Sequence, residues 1–309
     1  MTHTTTHTVM VGAPAKVVYD LVADVTTWPY IFGPTVHAEV FERDGSTERL
    51  RLHAFANGDV RTWTSRRELD PANLHISFEQ ERTAAPVKTM GGEWRIVPIA
   101  DSATRVDLLH HFTAAQPEAV DLILNAVNNN SDAELAALKR AAEYGDEYDK
   151  LVLSFSDSIT INASRKDVYE FLYRSDLWPE RLPHVARLDL TEAVTGVQSM
   201  EMDTRSPDGS IHTTHSVRVC TPYEGIVYKQ THTPPIMAAH VGRWTFRDLA
   251  DGTGIEATSH HTVVIRPEVV PEVLGADGTV DRARELIRHA LGTNSLTTLR
   301  HAKEFAENG

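Results

Sequence analysis

"APAKVVYDLVADVTTWP", Ala13 to Pro29, is answered further along the chain by "ASRKDVYEFLYRSDLWP", Ala163 to Pro179. Alanine, lysine, valine, tyrosine, tryptophan and proline recur in the same order. The tryptophans are offset by 178 − 28 = 150 and the prolines by 179 − 29 = 150. Ser65 and Arg67 match Ser216 and Arg218 at 151, Pro71 matches Pro222 at 151, and Trp94 matches Trp244 at 150. A single inserted residue accounts for the middle landmarks, so the chain is written twice. Two homologous domains are expected, 1–147 and 148–309, joined near "YGDEYDKLVLS", Tyr144 to Ser154.

Each half reads the same way. A short strand comes first ("HTVMVG"; "LSFSDSITIN"), then an amphipathic helix. In the first half Pro14 suits a first helical turn, and Val17, Val18, Leu21 and Val22 form an i, i+4 stripe. The "WP" segment is expected to leave the helix, because the residue before proline disfavours the αR region. A meander of strands follows, broken by turn signals at 43–46 (RDGS), 56–59 (ANGD), 206–209 (SPDG) and 250–254 (ADGTG). A long helix ends each half, from about Pro117 to Glu143 and from about Asp281 to Ala306. Ser131 and Glu134 have capping-box spacing, so the first long helix is expected to restart or kink there, with Gly292 as the matching weak spot in the second. Strand, helix, antiparallel meander and long helix together favour an α+β fold, a curved sheet wrapped round one helix with a cavity between them.

Composition narrows the function. The 309 residues are 41% hydrophobic, enough for a substantial core. A formal charge of −13 and pI near 5.6 argue against nucleic acid or an anionic membrane as partner. One cysteine, Cys220, excludes an intrachain disulfide framework and a thiolate metal cluster. It reads as a small core hydrophobe, since no activating partner is evident. The start, "MTHTTTHTVMVGAP", lacks the basic and apolar runs of a signal peptide, and no apolar stretch approaches the ~20 residues of a membrane span, so a soluble cytoplasmic protein is expected.

"RTWTSRRE", Arg61 to Glu68, is the strand that points to a site. Side chains alternate, so Trp63, Ser65, Arg67 and then Leu69 share one face. In the second half Thr214, Ser216, Arg218 and Cys220 share the equivalent face. Leucine and cysteine at matching positions place that face inside. An inward arginine costs several kcal/mol unless paired or solvated, and finding it twice suggests a polar cavity. The competing reading is an arginine that snorkels to the surface with Trp63 as packing. Trp28, Trp94, Trp178 and Trp244 read as core or pocket wall. Apolar alternation puts His110 and His261 on the inner face as pocket-lining histidines. Their neighbours His111 and His260 point the other way, so neither pair chelates one metal. His3 and His7, in a threonine-rich start, are expected to be solvated. There is no phosphate loop, HExxH or dinucleotide fingerprint.

The stretches "DVTTWPYIF", "GDVRTWTSRRELD", "MGGEWRI" and "LNAVNNNSDAELAALKR" resemble the polyketide aromatase/cyclases of bacterial type II synthases, members of the helix-grip superfamily that includes START and Bet v 1-like proteins. The duplication resembles the di-domain aromatase/cyclases that act on ketoreduced chains. The resemblance covers nearly the whole chain. It implies a pocket arginine at Arg67, a pocket serine at Ser65, pocket tryptophans at Trp28 and Trp63, a phenylalanine at Phe32 and a helix asparagine at Asn128. Where single-domain members carry a tyrosine after the WP segment this chain has Thr35, and an upstream tryptophan is replaced by Arg61. The second half keeps Trp178, Ser216 and Arg218 but has Leu182 and Thr214 where the first has phenylalanine and tryptophan, so its pocket is less typical. The resemblance implies first-ring cyclisation and dehydration of a poly-β-ketone carried on the phosphopantetheine of an acyl carrier protein, alongside a ketoreductase and a ketosynthase/chain-length factor. Such chemistry is redox-neutral and calls for no cofactor. His110, His53 or a bound water stand as alternatives for the base. A START-like carrier that binds a hydrophobic ligand unchanged is the competing function.

Overall fold

The structure, a computed structural model, describes residues 1–205 and 209–308. The chain divides into two compact units, Met1–Asp149 and Lys150–Gly309. Unit one contains β1 (His3–Val11), α1 (Ala15–Ala23), α2 (Trp28–Ile31), β2 (Thr35–Asp44), β3 (Thr47–Ala56), β4 (Asp59–Asp70), β5 (His75–Arg82), β6 (Val87–Ala100), β7 (Ala103–Ala114) and α3 (Val120–Tyr144). A short α4 (Asp146–Leu151) follows. Unit two repeats the order: β8 (Val152–Ile161), α5 (Arg165–Tyr173), α6 (Trp178–Arg181), β9 (Val185–Val194), β10 (Val197–Arg205), β11 (Ile211–Thr221), β12 (Gly225–His232), β13 (Met237–Asp248), β14 (Ile255–Ile265), α7 (Val270–Leu274) and α8 (Val280–Asn308).

Each sheet is antiparallel and seven-stranded, ordered β1-β7-β6-β5-β4-β3-β2 and β8-β14-β13-β12-β11-β10-β9. Apart from the helical crossover that carries the chain from one edge strand to the other, every connection is local. The β3–β4 turn shows why the meander forms. Asn57 and Gly58 both take positive φ, 53° and 88°, the mirror-image two-residue turn that matches strand twist. That turn sets the register that pairs Glu48 with Arg67 and Leu50 with Ser65. The 206–209 turn signal falls mostly on residues 206–208, outside the described residues.

The core of unit one occupies one end of the sheet's inner face. Val18 and Val22 of α1 pack there with Leu135 and Leu138 of α3 against Ile76, Trp94, Ile96 and Val106. The space under the N-terminal half of α3 is left for a cavity.

Three expectations are corrected. The buried stripe of α1 is Ala15, Val18, Tyr19 and Val22, whereas Val17 is exposed: the helix turns Tyr19 inward, rotating the stripe by one position. The chain leaves α1 at Asp24 (φ −86°, ψ 92°), and the tryptophan of each WP pair opens a new one-turn helix. Trp178 is αR despite preceding Pro179, because proline in a first turn forfeits no intrahelical bond. Finally, α3 and α8 run unbroken through "NNNSD" and Gly292. Packing of Val127, Leu135 and Leu138 holds α3 together through the polar run. At Gly292 a Cβ would lie 2.1 Å from Arg288 Nη1, so the glycine clears a path for Arg288 to reach Asp157 at 2.6 Å.

Candidate functional site

Beneath α3 of unit one lies a cavity of about 360 Å³. Its floor is β4, where Trp63, Ser65 and Arg67 face inward as the alternation requires. β5 adds Ile76, Phe78 and Gln80, β6 adds Met90 and Trp94, and β7 adds Leu108 and His110. Trp28 and Thr35 close one side. The mouth lies between the Asn57 turn, the Ala84–Val87 loop and the start of α3, where Asn130 Nδ2 donates to the Phe55 carbonyl at 2.8 Å and Asn57 Nδ2 to that of Leu122 at 3.1 Å.

Arg67 is 2% exposed. Its Nε donates to Glu48 Oε2 at 2.8 Å, Nη1 to the Val22 carbonyl at 3.1 Å and Nη2 to the Ala23 carbonyl. Nη2 also lies 2.6 Å from Glu48 Oε2. Val22 and Ala23 end α1, so the guanidinium caps a helix C-terminus, where unbonded carbonyls and the negative end of the dipole favour a cation. Its pKa is held below the usual arginine value by burial, opposed by Glu48. The snorkelling reading is excluded. Arg218 caps its helix in the same way, donating to Leu172 near the end of α5 at 2.5 Å and lying over Trp178 at 5.2 Å. The arginine that recurs in both units is therefore explained first by helix capping.

Several polar atoms line or border the cavity without a protein partner among the described residues: Trp28 Nε1, His110 Nδ1 and Ser131 Oγ. Burial pushes the His110 imidazole down to about 4, so it is neutral at pH 7. Phe78 meets it edge-on, ring centroids 5.5 Å apart. Gly92 makes that meeting possible, since it pairs with both residues and a Cβ there would sit 2.0 Å from the Leu109 carbonyl and 2.7 Å from Phe78 Cζ. Gly92→Ala should cost several kcal/mol through forced backbone displacement. A urea unfolding curve superimposable on wild type would contradict this.

Ser131 and Glu134 do not form a capping box. Both project into the cavity from mid-helix. Glu134 is half-buried at the cavity wall, and desolvation pushes its pKa up to about 7. It is an acid–base group of the cavity wall brought near neutrality, which the S-x-x-E spacing, read as a cap, concealed.

Two residues carried over from the resemblance lie elsewhere. Phe32, 1% exposed, belongs to the core behind the wall, its ring 6.4 Å from Trp94 and 5.4 Å from Trp28. Asn128 is exposed on the flank of α3, where His7 Nε2 meets its Oδ1 at 3.1 Å; Asn130, two residues on, reaches the mouth instead. His7 is thus bonded to α3 and His3 stacks on Phe112 at 5.3 Å, so neither is simply solvated. His53, a candidate base, lies on the opposite face of β3 from the cavity-lining Leu52 and Ala54.

Unit two occupies the matching positions with side chains bonded to one another. His261 holds Ser295 at 2.7 Å, His240 at 3.0 Å and Tyr228 at 3.2 Å. Ser295 stands eight residues before Lys303 as Ser131 stands eight before Lys139, and both lysines donate to the unit's first strand. Phe155, in the place of Thr5, stacks on His261 at 4.9 Å. Ser216 and Trp178 are buried in the same unit. The His261 imidazole is lowered to about 4 by burial and His240 lies well below 6.5. A histidine held neutral in the fold contributes stability that is complete above its unfolded pKa and is lost as pH falls toward the folded value. Between pH 7 and pH 5 His261 should withdraw about 2 kcal/mol. His261→Gln should shrink the difference between urea midpoints at those two pH values, and an unaltered difference would refute the assignment.

Among the described residues no cluster of metal-ligating side chains occurs, and no helix is long and apolar enough to cross a membrane. Residues 11–139 match the family described as polyketide cyclase/dehydrase and lipid transport. Across 99% of this chain and 94% of the relative, the sequence is 46% identical to the granaticin polyketide synthase bifunctional cyclase/dehydratase of Streptomyces violaceoruber. It is 44% identical to the actinorhodin counterpart of Streptomyces coelicolor, over 98% of this chain and 97% of that one. The crystal structure of the di-domain ARO/CYC BexL from the BE-7585A biosynthetic pathway superposes with a TM-score of 0.87 at 47% identity, covering 99% of both chains. A duplicated helix-grip fold with a cavity in its first unit, and full-length identity to these proteins, establish that this chain belongs to the di-domain polyketide cyclase/dehydratase family.

Proposed function

We propose that the chain is a polyketide aromatase/cyclase that closes and dehydrates the first ring of a ketoreduced poly-β-ketone, and that the unit-one cavity is where this happens. The observation that carries the assignment to unit one is the contrast between equivalent positions. His110, Ser131 and Glu134 line the cavity, with His110 Nδ1 and Ser131 Oγ lacking a protein partner among the described residues, whereas His261 and Ser295 bond to each other. Carried over from the family, the substrate arrives on the phosphopantetheine arm of an acyl carrier protein, after a ketosynthase/chain-length factor and a ketoreductase.

A flexible polyketone can close in several registers. Tryptophans 28, 63 and 94 with Phe78 give an apolar wall that holds one fold of the chain, and orientation of this kind supplies up to roughly 7–11 kcal/mol. Ring closure needs a base to remove an α-proton, a new C–C bond to a ketone carbon, and an acid to protonate the resulting alkoxide. Dehydration then removes a second α-proton and expels the hydroxyl as water. Glu134, poised near pH 7, takes the proton as carboxylate and returns it as acid, so protons balance and no redox partner is needed. Neutral His110 and Trp28 Nε1 hold carbonyl oxygens by hydrogen bond. Arg67 supplies the electrostatic support that enolisation needs, through the one N–H its cap and ion pair leave over.

The test is reconstitution with the minimal synthase and ketoreductase. First-ring aromatised product should appear only with the protein present. Identical product ratios with and without it would favour the carrier reading, in which the cavity binds a hydrophobic ligand unchanged.

A further inference from the structure

Arg67 and Arg218 are twins in sequence and both cap a helix, yet the residue facing each on the neighbouring strand differs. Opposite Arg67 on β3 stands Glu48, 1% exposed, and opposite Arg218 on β10 stands Gln198, 1% exposed. Gln198 turns away from its arginine, donating to Glu192 Oε2 at 2.9 Å and to the Tyr173 carbonyl at 3.3 Å. Arg218 Nη1 is then left without an acceptor among the described residues. In unit one the carboxylate takes Nε and contacts Nη2, and the α1 carbonyls take the rest of that edge. Three points fix a planar guanidinium in orientation, and one of its five N–H groups, on Nη1, is unspent. The exposed Arg43 holds the other Glu48 oxygen, which anchors the carboxylate from its far side.

We propose that Glu48 is the positioning residue for Arg67: it locks the guanidinium against the end of α1, where Arg67 lines the cavity with one N–H left over, and it cancels the arginine's charge there. Arg67 thereby acts on an uncharged polyketone as an oriented donor and not as a free cation that would draw an anion. Unit two, with Gln198, keeps the cap and lacks the lock. The inference rests on unit one being the reaction chamber.

The test uses full-length wild type, Glu48→Gln and Glu48→Asp in the reconstituted synthase, with turnover, apparent KM for the carrier-bound chain and the ratio of correctly closed to misclosed rings as readouts. Glu48→Gln should lower turnover about 10²-fold with KM little changed and shift products toward misclosed rings, as misorientation does. Glu48→Asp, keeping the charge, should recover most of that loss. A folded Glu48→Gln protein with wild-type turnover and ring ratio overturns the proposal, as does a folded Glu48→Asp protein no better than Glu48→Gln. Gln198 shows that the fold accepts glutamine at this position. Should Glu48→Gln nonetheless not fold, Glu48→Asp alone decides: misclosed rings at least threefold above wild type support the lock, and an unchanged ratio overturns it. Wild type that forms no aromatised product would defeat the functional reading itself, a different result from variants that match an active wild type.

Discussion

Arg67→Ala should unfold unit one far more easily than its position in a cavity wall suggests, by about 3–5 kcal/mol. The arginine is 2% exposed and its partner Glu48 1% exposed. Removing the guanidinium leaves a buried carboxylate held, among the described residues, by the exposed Arg43 alone, and it strips the acceptor-rich end of α1 of its cap. Breaking a buried pair from one side costs more than the pair contributes, because the remaining charge must stay desolvated. The transition should drop by on the order of 10 °C. Arg67→Lys should recover little, since one ammonium cannot reach Glu48, Val22 and Ala23 together. Arg218→Ala should be milder, because no carboxylate makes a direct ion pair with Arg218 among the described residues, Glu192 acting on it only at longer range, and its Nη1 is already without an acceptor there. Calorimetry on the three variants checks this, and an Arg67→Ala protein melting with wild type would disprove the buried-pair account. It also follows that lost activity in Arg67→Ala does not by itself identify a catalytic arginine.

Much of this was legible in the chain before any coordinates. The offset of 150 between WP pairs exposed the duplication, and the period of two in "RTWTSRRE" placed Trp63, Ser65 and Arg67 on the cavity face. Both depend on local geometry, which sequence carries. Glu48 was within reach as well. Asn57-Gly58 reads as a two-residue turn, and counting back from it pairs Glu48 with Arg67, so the counter-charge could have been named. What failed depended on rotation and packing. S-x-x-E is the spacing of a capping box and also of two residues on one helix face, and only the packed context of α3 decides between them. Asn128 and Asn130 differ by two helical steps, enough to turn one toward β1 and the other toward the mouth. The bonded histidine cluster of unit two could not be seen in strand pattern at all, because it joins β13, β14 and α8.

Glu134→Gln should abolish most of the chemistry while leaving the fold intact or firmer. General acid–base groups contribute typically 10²–10⁴-fold, and this carboxyl of the cavity wall is brought near pH 7. Its pKa is raised because burial penalises the charged form and no partner compensates. The sign for stability follows. A carboxyl whose folded pKa is raised binds its proton more tightly in the folded state, so the fold is favoured at low pH and loses that advantage as pH rises through about 7. Glutamine cannot ionise, and Glu134→Gln should therefore be more stable than wild type above pH 7 and similar to it near pH 5. Activity moves the other way: turnover falls at least about 10²-fold, and the wild-type pH profile, with a limb near 7, flattens in the variant. Glu134→Asp should restore part of the rate, since it returns a titrating carboxyl at a shorter reach. A pure packing role predicts none of this coupling between a gain in alkaline stability and a loss of rate. Wild-type ring formation by a folded Glu134→Gln protein would remove Glu134 from the mechanism and leave His110 and cavity water as the proton acceptors.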